Sequence, residues 1–172
     1  MLQLFEHIVA CLGETCQSPA FAELCRIADE EPVRNISLSP FISYDFRRSG
    51  FNFFYDRGES VFERANLFGL PYQELSAYSA NLPKDVVISD KKIDVLRKLG
   101  KPHSKSSRRR ILPNPENLCE ATWEDHLILQ GAQPLTFHTC SYRQDGYTLQ
   151  FCFDDDRDGR MTDIILQVSK TT

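Results

Sequence analysis

One pattern of elements occurs twice in this chain, and it constrains the fold more than any other feature. Each copy has a short amphipathic helix, a loop, and alternating strands joined by a tight, charged hairpin. The copies run from residues 18–28 into 51–58 and from residues 89–100 into 147–154, and Gly50 corresponds to Gly146. A duplicated helix-plus-sheet unit favours a surface for binding over a catalytic centre.

Helical periodicity and capping signals predict three helices. Apolar residues recur at helical spacing from Leu2 to Leu12, which predicts the first. Ser18 followed by Pro19 is typical of a helix start and predicts a helix over 19–29. The best-signalled helix carries an apolar face from Ile93 to Leu99 and should end at Gly100.

The hydrophobic period changes to two residues outside these segments, which predicts antiparallel strands with one buried face. Phe53 and Tyr55 should point to one face and Phe54 to the other. The predicted strands span residues 42–47, 51–56, 61–68, 125–130, 135–143, 147–153 and 160–168. Residues 103–110 are predicted to form an exposed loop or a strand edge.

These elements predict an α+β fold of two tandem, similar helix-plus-antiparallel-sheet units, with the helices packed on one side of the sheets. The first unit covers residues 1–70, a Pro- and Gly-containing connection covers 71–88, and the second unit covers 89–172. One continuous domain is the alternative, because 172 residues with 41% hydrophobic content suffice for a single core.

The sequence predicts a cytoplasmic protein. Residues 1–7 lack a basic start, and no apolar run approaches the roughly 20 residues that a membrane span requires. The six cysteines include no Cys-x-x-Cys pair, so they indicate neither a zinc ribbon nor a redox site. We expect reduced, mostly buried thiols.

No set of residues predicts an enzyme, a cofactor or a metal centre. None of the four histidines has a metal-ligand spacing with another histidine or a cysteine. His126 follows Glu124 and Asp125 and could act as an oriented base, but no nucleophile motif accompanies it. The glycines are scattered singly and form no phosphate loop.

The acidic run at 154–158, followed by Gly159, has two interpretations besides a solvated hairpin turn. It resembles the start of a calcium loop, but Ile165 stands where the bidentate carboxylate is needed. Alternatively, exposed aspartates there, helped by Asp163, could contact a basic partner.

Charge is unevenly distributed along the chain. Residues 84–110 contain ten basic and three acidic side chains, although the whole chain has a net charge of −4. Such a segment is typical of a solvated helix face and loop, and it could also meet an acidic surface or a phosphate backbone.

A Leu-Pro pair at 82–83 precedes the helix that ends in Leu-Gly-Lys-Pro at 99–102, and strands with an aromatic hairpin follow. This arrangement resembles the helix-plus-antiparallel-sheet repeat of β-lactamase inhibitor proteins and of the small outer-membrane assembly lipoproteins that share it. It also resembles cytoplasmic proteins of bacterial toxin–immunity loci, which often show a Leu-Pro segment before such a helix. The sequence shows no signal peptide and no lipidation cysteine, so the cytoplasmic immunity proteins fit best.

The resemblance implies that the chain binds and neutralises a cognate bacterial toxin by blocking its active site or substrate path. Many such toxins are nucleases with basic grooves, and an acidic blocker associates with them quickly. The predicted contacts are Asp154, Asp155, Asp156, Asp158, Phe54, Tyr55 and Trp123. A helix of the same half could instead cover Phe54.

A nucleic-acid or phosphate-binding module that uses the basic segment 91–110 is the alternative function. Its candidate contacts are Lys101, Lys105, Arg108, Arg109 and Arg110. The acidic remainder of the chain and the lack of aromatic residues between these cations disfavour nucleic acid as the partner.

Overall fold

A computed structural model describes residues 3–36, 41–56, 58, 60–71, 74–109, 136–154 and 159–169. These residues form three α-helices, one short 3-10 helix at Pro83–Asp85, and eight strands. The helices are α1 (Gln3–Ala10), α2 (Pro19–Ala28) and α3 (Lys92–Leu99). The strands are β1 (Val33–Ile36), β2 (Phe41–Phe46), β3 (Phe51–Asp56), β4 (Arg64–Phe68), β5 (Ser104–Arg109), β6 (Thr136–Arg143), β7 (Tyr147–Asp154) and β8 (Arg160–Val168).

All eight strands belong to one antiparallel sheet in the order β1-β2-β3-β4-β8-β7-β6-β5. Strands β1–β4 follow one another as a meander, and so do β5–β8. The last strands of the two meanders pair at the centre, where Ala65 of β4 lies opposite Leu166 of β8. Among the described strands, β1 and β5 are therefore the edges of the sheet.

Local capping explains where the helices begin and end. The Ser18 hydroxyl accepts a hydrogen bond from the Phe21 backbone N–H at 3.2 Å, and Pro19 occupies the first turn of α2. Helix α3 ends at Gly100, which has a φ of 79°. The predicted start of α2 at Pro19 and the predicted end of α3 at Gly100 are confirmed.

The helices pack against one face of the sheet, which we call the core face. Phe5 and Ile8 of α1, Phe21 and Leu24 of α2, and Val95 of α3 are all buried in the same cluster as its strand residues. The aromatic centre of this core cluster lies on β2 and β3, where the Phe46 and Phe51 rings stack with centroids 4.4 Å apart. Burial of one such side chain contributes about 1.5–3 kcal/mol to folding.

The structure differs from the sequence expectations in its edge strands. The sequence does not predict strand β1. All four of its residues are exposed, so its sequence lacks the alternation of apolar and polar residues that indicates a strand with one buried face. Residues 104–109 form a paired strand, β5, so the strand-edge alternative is the correct one. The strand predicted at 61–68 corresponds to β4, which begins only at Arg64. The predicted strand at 125–130 lies outside the described residues. Among the described residues, no helix has the length and apolar character needed to cross a membrane.

Candidate protein-binding face of the sheet

The alternation of β3 places two adjacent phenylalanines on opposite faces of the sheet. Phe53 lies opposite Ala65 on the core face and is inaccessible to solvent. Phe54 lies opposite Arg64 on the other face, which we call the second face, and it is half-buried. The prediction that Phe54 points away from Phe53 is confirmed, and α1 and α2 pack on the face it does not share.

Arg64 and two phenylalanines form a compact group on the second face, which we call the aromatic–arginine cluster (Phe41, Phe54 and Arg64). The Arg64 guanidinium carbon lies 4.7 Å from the centre of the Phe54 ring and 5.8 Å from the centre of the Phe41 ring. Burial lowers the pKa of Arg64, while the nearby carboxylates of Asp163 and Glu63 act in the opposite direction. The phenyl faces thus attract a cation that is only partly hydrated.

A row of polar side chains adjoins this cluster on the second face. The Asp45 carboxylate accepts hydrogen bonds from the side-chain amides of Asn35 and, at 3.2 Å, of Asn52. Asn52 lies directly opposite Asn66 on β4, and both are more than nine-tenths buried. Their side-chain oxygens accept no hydrogen bond within the described part of the chain. Such buried, unsatisfied groups cost about 1–3 kcal/mol each.

Tyr55 does not share a surface with Phe54. It lies on the core face opposite Ile42, and its ring stacks on that of Tyr44 with centroids 6.1 Å apart. Because strand neighbours point to opposite faces, a single flat partner cannot cover Phe54 and Tyr55 together. The structure therefore separates two of the predicted contacts.

The prediction that Asp154 lies on an exposed turn is wrong. Asp154 is the last residue of β7, pairs with Arg160 of β8 and is completely buried. Asp163 on β8 is also completely buried. Asp154 belongs to β7 because this strand extends one residue beyond the predicted 147–153, whereas Asp163 lies within the predicted strand 160–168. Asp155, Asp156, Asp158 and Trp123 lie outside the described residues.

The basic segment is divided among several environments. The Lys98 ammonium binds the Asp90 carboxylate at 2.7 Å and the Asp85 carbonyl at 2.7 Å. Arg97 pairs with Asp94 at 3.1 Å, whereas Lys101 and Lys105 are exposed. Arg108 and Arg109 belong to β5, and Arg110 lies outside the described residues.

Sequence analysis missed several members of the second face, including Arg64, Phe41, Asn52 and Asn66. A usable signal was present in β4, where Arg64 and Asn66 alternate with the apolar residues Ala65 and Leu67. That alternation identifies a polar face, but only the register places Arg64 opposite Phe54. In the part of the chain that the structure describes, no group of three metal-ligating side chains is suitably placed for an ion.

Comparison with models of protein families, with curated proteins and with solved structures finds no match to this chain.

Proposed function

We propose that this protein is a cytoplasmic, non-enzymatic immunity protein that binds a cognate bacterial toxin and blocks its active site or substrate path. Its binding surface is the second face of β2–β4. The aromatic–arginine cluster is the observation that carries this proposal, because it combines residue types that are enriched at protein interfaces on a face that α1 and α2 leave uncovered.

The cluster is suited to a binding contact because it is held in place before a partner arrives. Phe54 and Arg64 project from paired strands, and Phe41 is 38% exposed. A partner that covers Phe41 and the Arg64 guanidinium removes apolar and weakly hydrated surface from water. Little side-chain entropy is lost when this occurs, because the Arg64 guanidinium already lies over both rings.

The size of the second face shows that the cluster is the centre of an interface and not all of it. Three strands of five or six residues span roughly 250 Å², given the usual strand spacing and rise. Part of this area is already buried, at Asp45, Asn52, Asn66 and Phe68. A stable complex buries about 800 Å² on each partner. The exposed strand β1 adjoins β2 and offers further contact area, including Val33, which is 37% exposed.

We further propose that the chain consists of two similar units, α2 with β1–β4 and α3 with β5–β8. In each, a helix precedes a four-stranded meander. Gly50 and Gly146 occupy the turns after β2 and β6, and both have positive φ, at 73° and 79°. In an immunity protein, two such units give one sheet with two non-identical ends, of which the β2–β4 end carries the aromatic–arginine cluster.

The test is co-expression of the chain with the toxin domain encoded immediately upstream of its gene, with nuclease domains as the first class to examine. We expect growth rescue together with co-purification of a stable complex. Phe54→Ala should weaken the complex by about thirtyfold, as a central aromatic contact of about 2 kcal/mol implies. Ile93→Ala is the matched control, because Ile93 is 60% exposed but lies on α3, on the helix side.

The outcomes separate the function from the site. Absence of both rescue and complex would overturn the immunity proposal. Rescue with a complex that Phe54→Ala leaves at full affinity would retain the function and remove the second face as its surface.

A further inference from the structure

A small cavity of about 200 Å³ is lined by the start of α3, by the edge strand β5 and by its neighbour β6. Its lining residues include two lysines, one histidine and three residues with hydroxyl groups. The lining residues are Lys92, Lys105, Ser106, Ser107, His138, Thr139 and Cys140. None of them belongs to the aromatic–arginine cluster.

Two positive charges converge on this cavity from different elements. Lys92 is the first residue of α3, and Lys105 lies on β5 directly opposite Cys140 of β6. Burial raises the pKa of the Cys140 thiol, and both lysines act in the opposite direction, so both ammonium groups are near the same point. Within the described residues, neither lysine forms an ion pair.

The two acidic side chains nearest in sequence to Lys92 are each paired with another cation. The Asp90 carboxylate binds the Lys98 ammonium at 2.7 Å. The Asp94 carboxylate pairs with Arg97 at 3.1 Å and also accepts a hydrogen bond from the Lys91 backbone N–H at 3.3 Å. The backbone of Lys92 is itself fixed, because its N–H donates to the Gly159 carbonyl at 3.2 Å. The start of an α-helix adds a partial positive charge to this position.

The volume of the cavity limits the size of its ligand, and its hydrogen-bond donors indicate that the ligand is an anion. Sites for drug-sized molecules usually measure about 300–1,000 Å³, so a cavity of 200 Å³ holds a smaller group. Two ammonium groups and the Ser107 hydroxyl can donate hydrogen bonds to several oxygens of one anion. His138, opposite Ser107 on β6, adds a ring nitrogen that can donate a further hydrogen bond.

We propose that this cavity is a binding site for a phosphate-class oxyanion, held by Lys92 and Lys105 and hydrogen-bonded by Ser107 and His138. The site is independent of the toxin-binding surface, because it lies at the opposite edge of the sheet. Free phosphate and the phosphate of a monoester present the same chemistry to it.

The experiment is a calorimetric titration of the full chain with inorganic phosphate at constant ionic strength and pH 7. We expect saturable binding with a dissociation constant of about 1 mM, as for a small, partly exposed anion site. The double variant Lys92→Gln/Lys105→Gln should bind about tenfold more weakly because it lacks both charge-assisted donors. Lys101→Gln/Arg143→Gln removes the same net charge from exposed positions outside the cavity lining and should bind like the wild type.

Two results would overturn the proposal: no saturable binding by the wild-type chain, or equal weakening in both double variants. A parallel titration with phosphoserine should give a similar affinity, since both sources offer one phosphate group. A single-stranded oligonucleotide that binds far more tightly, and equally to both double variants, would assign the basic residues to a nucleic-acid surface instead. If Lys92→Gln/Lys105→Gln does not fold, the wild type can be titrated with phosphate and followed by the NMR amide shifts of Ser107 and His138. If these two amide signals do not shift, the proposed site is contradicted.

Discussion

Arg64 and Phe54 lie directly opposite each other on β4 and β3, with the guanidinium carbon 4.7 Å from the centre of the phenyl ring. This cross-strand pair is the only part of the second face in which a permanent cation rests on an aromatic plane at that distance, among the described residues. The proposed toxin-binding surface is centred on this contact.

The Arg64–Phe54 contact should be measurable as a coupling energy. In a double-mutant cycle of Arg64→Met and Phe54→Leu, we expect a favourable interaction of about 0.5–1 kcal/mol, the usual range for cation–π pairs. Urea unfolding of the wild type, both single variants and the double variant provides the measurement. The corresponding cycle with Phe41, whose ring centre lies 5.8 Å from the guanidinium, should give a smaller coupling. Additive effects in the first cycle would contradict the contact.

Phe53 and Phe54 should respond very differently to the same substitution. Phe53 is fully buried and contacts the rings of Phe46, Phe51 and Phe62. Phe53→Ala should therefore lower the free energy of unfolding by about 3–5 kcal/mol. Phe54→Ala should cost about 1–2 kcal/mol, because its ring is half-buried on the second face. Chemical denaturation of the two variants measures this difference, and equal losses would contradict the assignment of faces.

Gly50 should tolerate alanine far less well than Gly146. Both have a positive φ, which costs an L-residue about 1–2 kcal/mol. At Gly50, a Cβ would also approach the Ser76 carbonyl oxygen and the Tyr78 nitrogen to 2.5 Å, whereas at Gly146 it meets nothing within 4 Å. We expect Gly50→Ala to lower the melting temperature several degrees more than Gly146→Ala. Equal melting temperatures for the two variants would be inconsistent with the close packing of residues 76–78 on this turn.

Stability should fall in alkaline solution because of buried thiol and phenol groups. Burial chiefly raises the pKa of Cys11 from its ordinary 9.0 to about 12, with smaller contributions from Cys25 and Glu14. Since the folded state then holds the proton more tightly than the unfolded state, the stabilisation is complete below pH 9 and is lost as the pH rises toward 12. A single group changes the free energy of unfolding by at most about 1.4 kcal/mol per pH unit in this window.

Urea unfolding between pH 8 and pH 11 tests this dependence. Burial also raises the pKa of Tyr142 to about 12, so the wild type should show the sum of several such groups. Cys11→Ala should have a shallower slope above pH 9, whatever its stability at pH 8. A slope identical to that of the wild type would show that Cys11 does not contribute.

Local sequence signals predicted those elements whose causes are themselves local. The Ser18–Pro19 start and the Gly100 stop depend on backbone groups within one turn of the helix. The alternation in β3 and β7 fixes which side chains share a face, so the sequence alone separated Phe53 from Phe54. No comparable pattern predicted β1, whose existence depends on pairing with β2.

Candidate contacts were harder to predict because they depend on register and burial. Asp154 belongs to a run of aspartates, and nothing in the sequence distinguishes it from the others. Its pairing with β8 nevertheless places it inside the protein. Phe54 was identified from its position opposite Phe53, but Arg64 became its partner only through the β3–β4 register. Lys92 and Lys105 are thirteen residues apart in sequence, and only the tertiary structure brings them to the lining of one cavity.

By itself, the sequence determined the three helices, the alternating strands and the two glycine turns, because capping, periodicity and positive φ act over a few residues. Only the tertiary structure decided that β4 and β8 join the strands into one sheet, which carboxylates are buried, and which cations meet an aromatic ring or a cavity. Those outcomes require residues distant in the chain to pair, and a one-residue change in register would place every side chain of a strand on the opposite face.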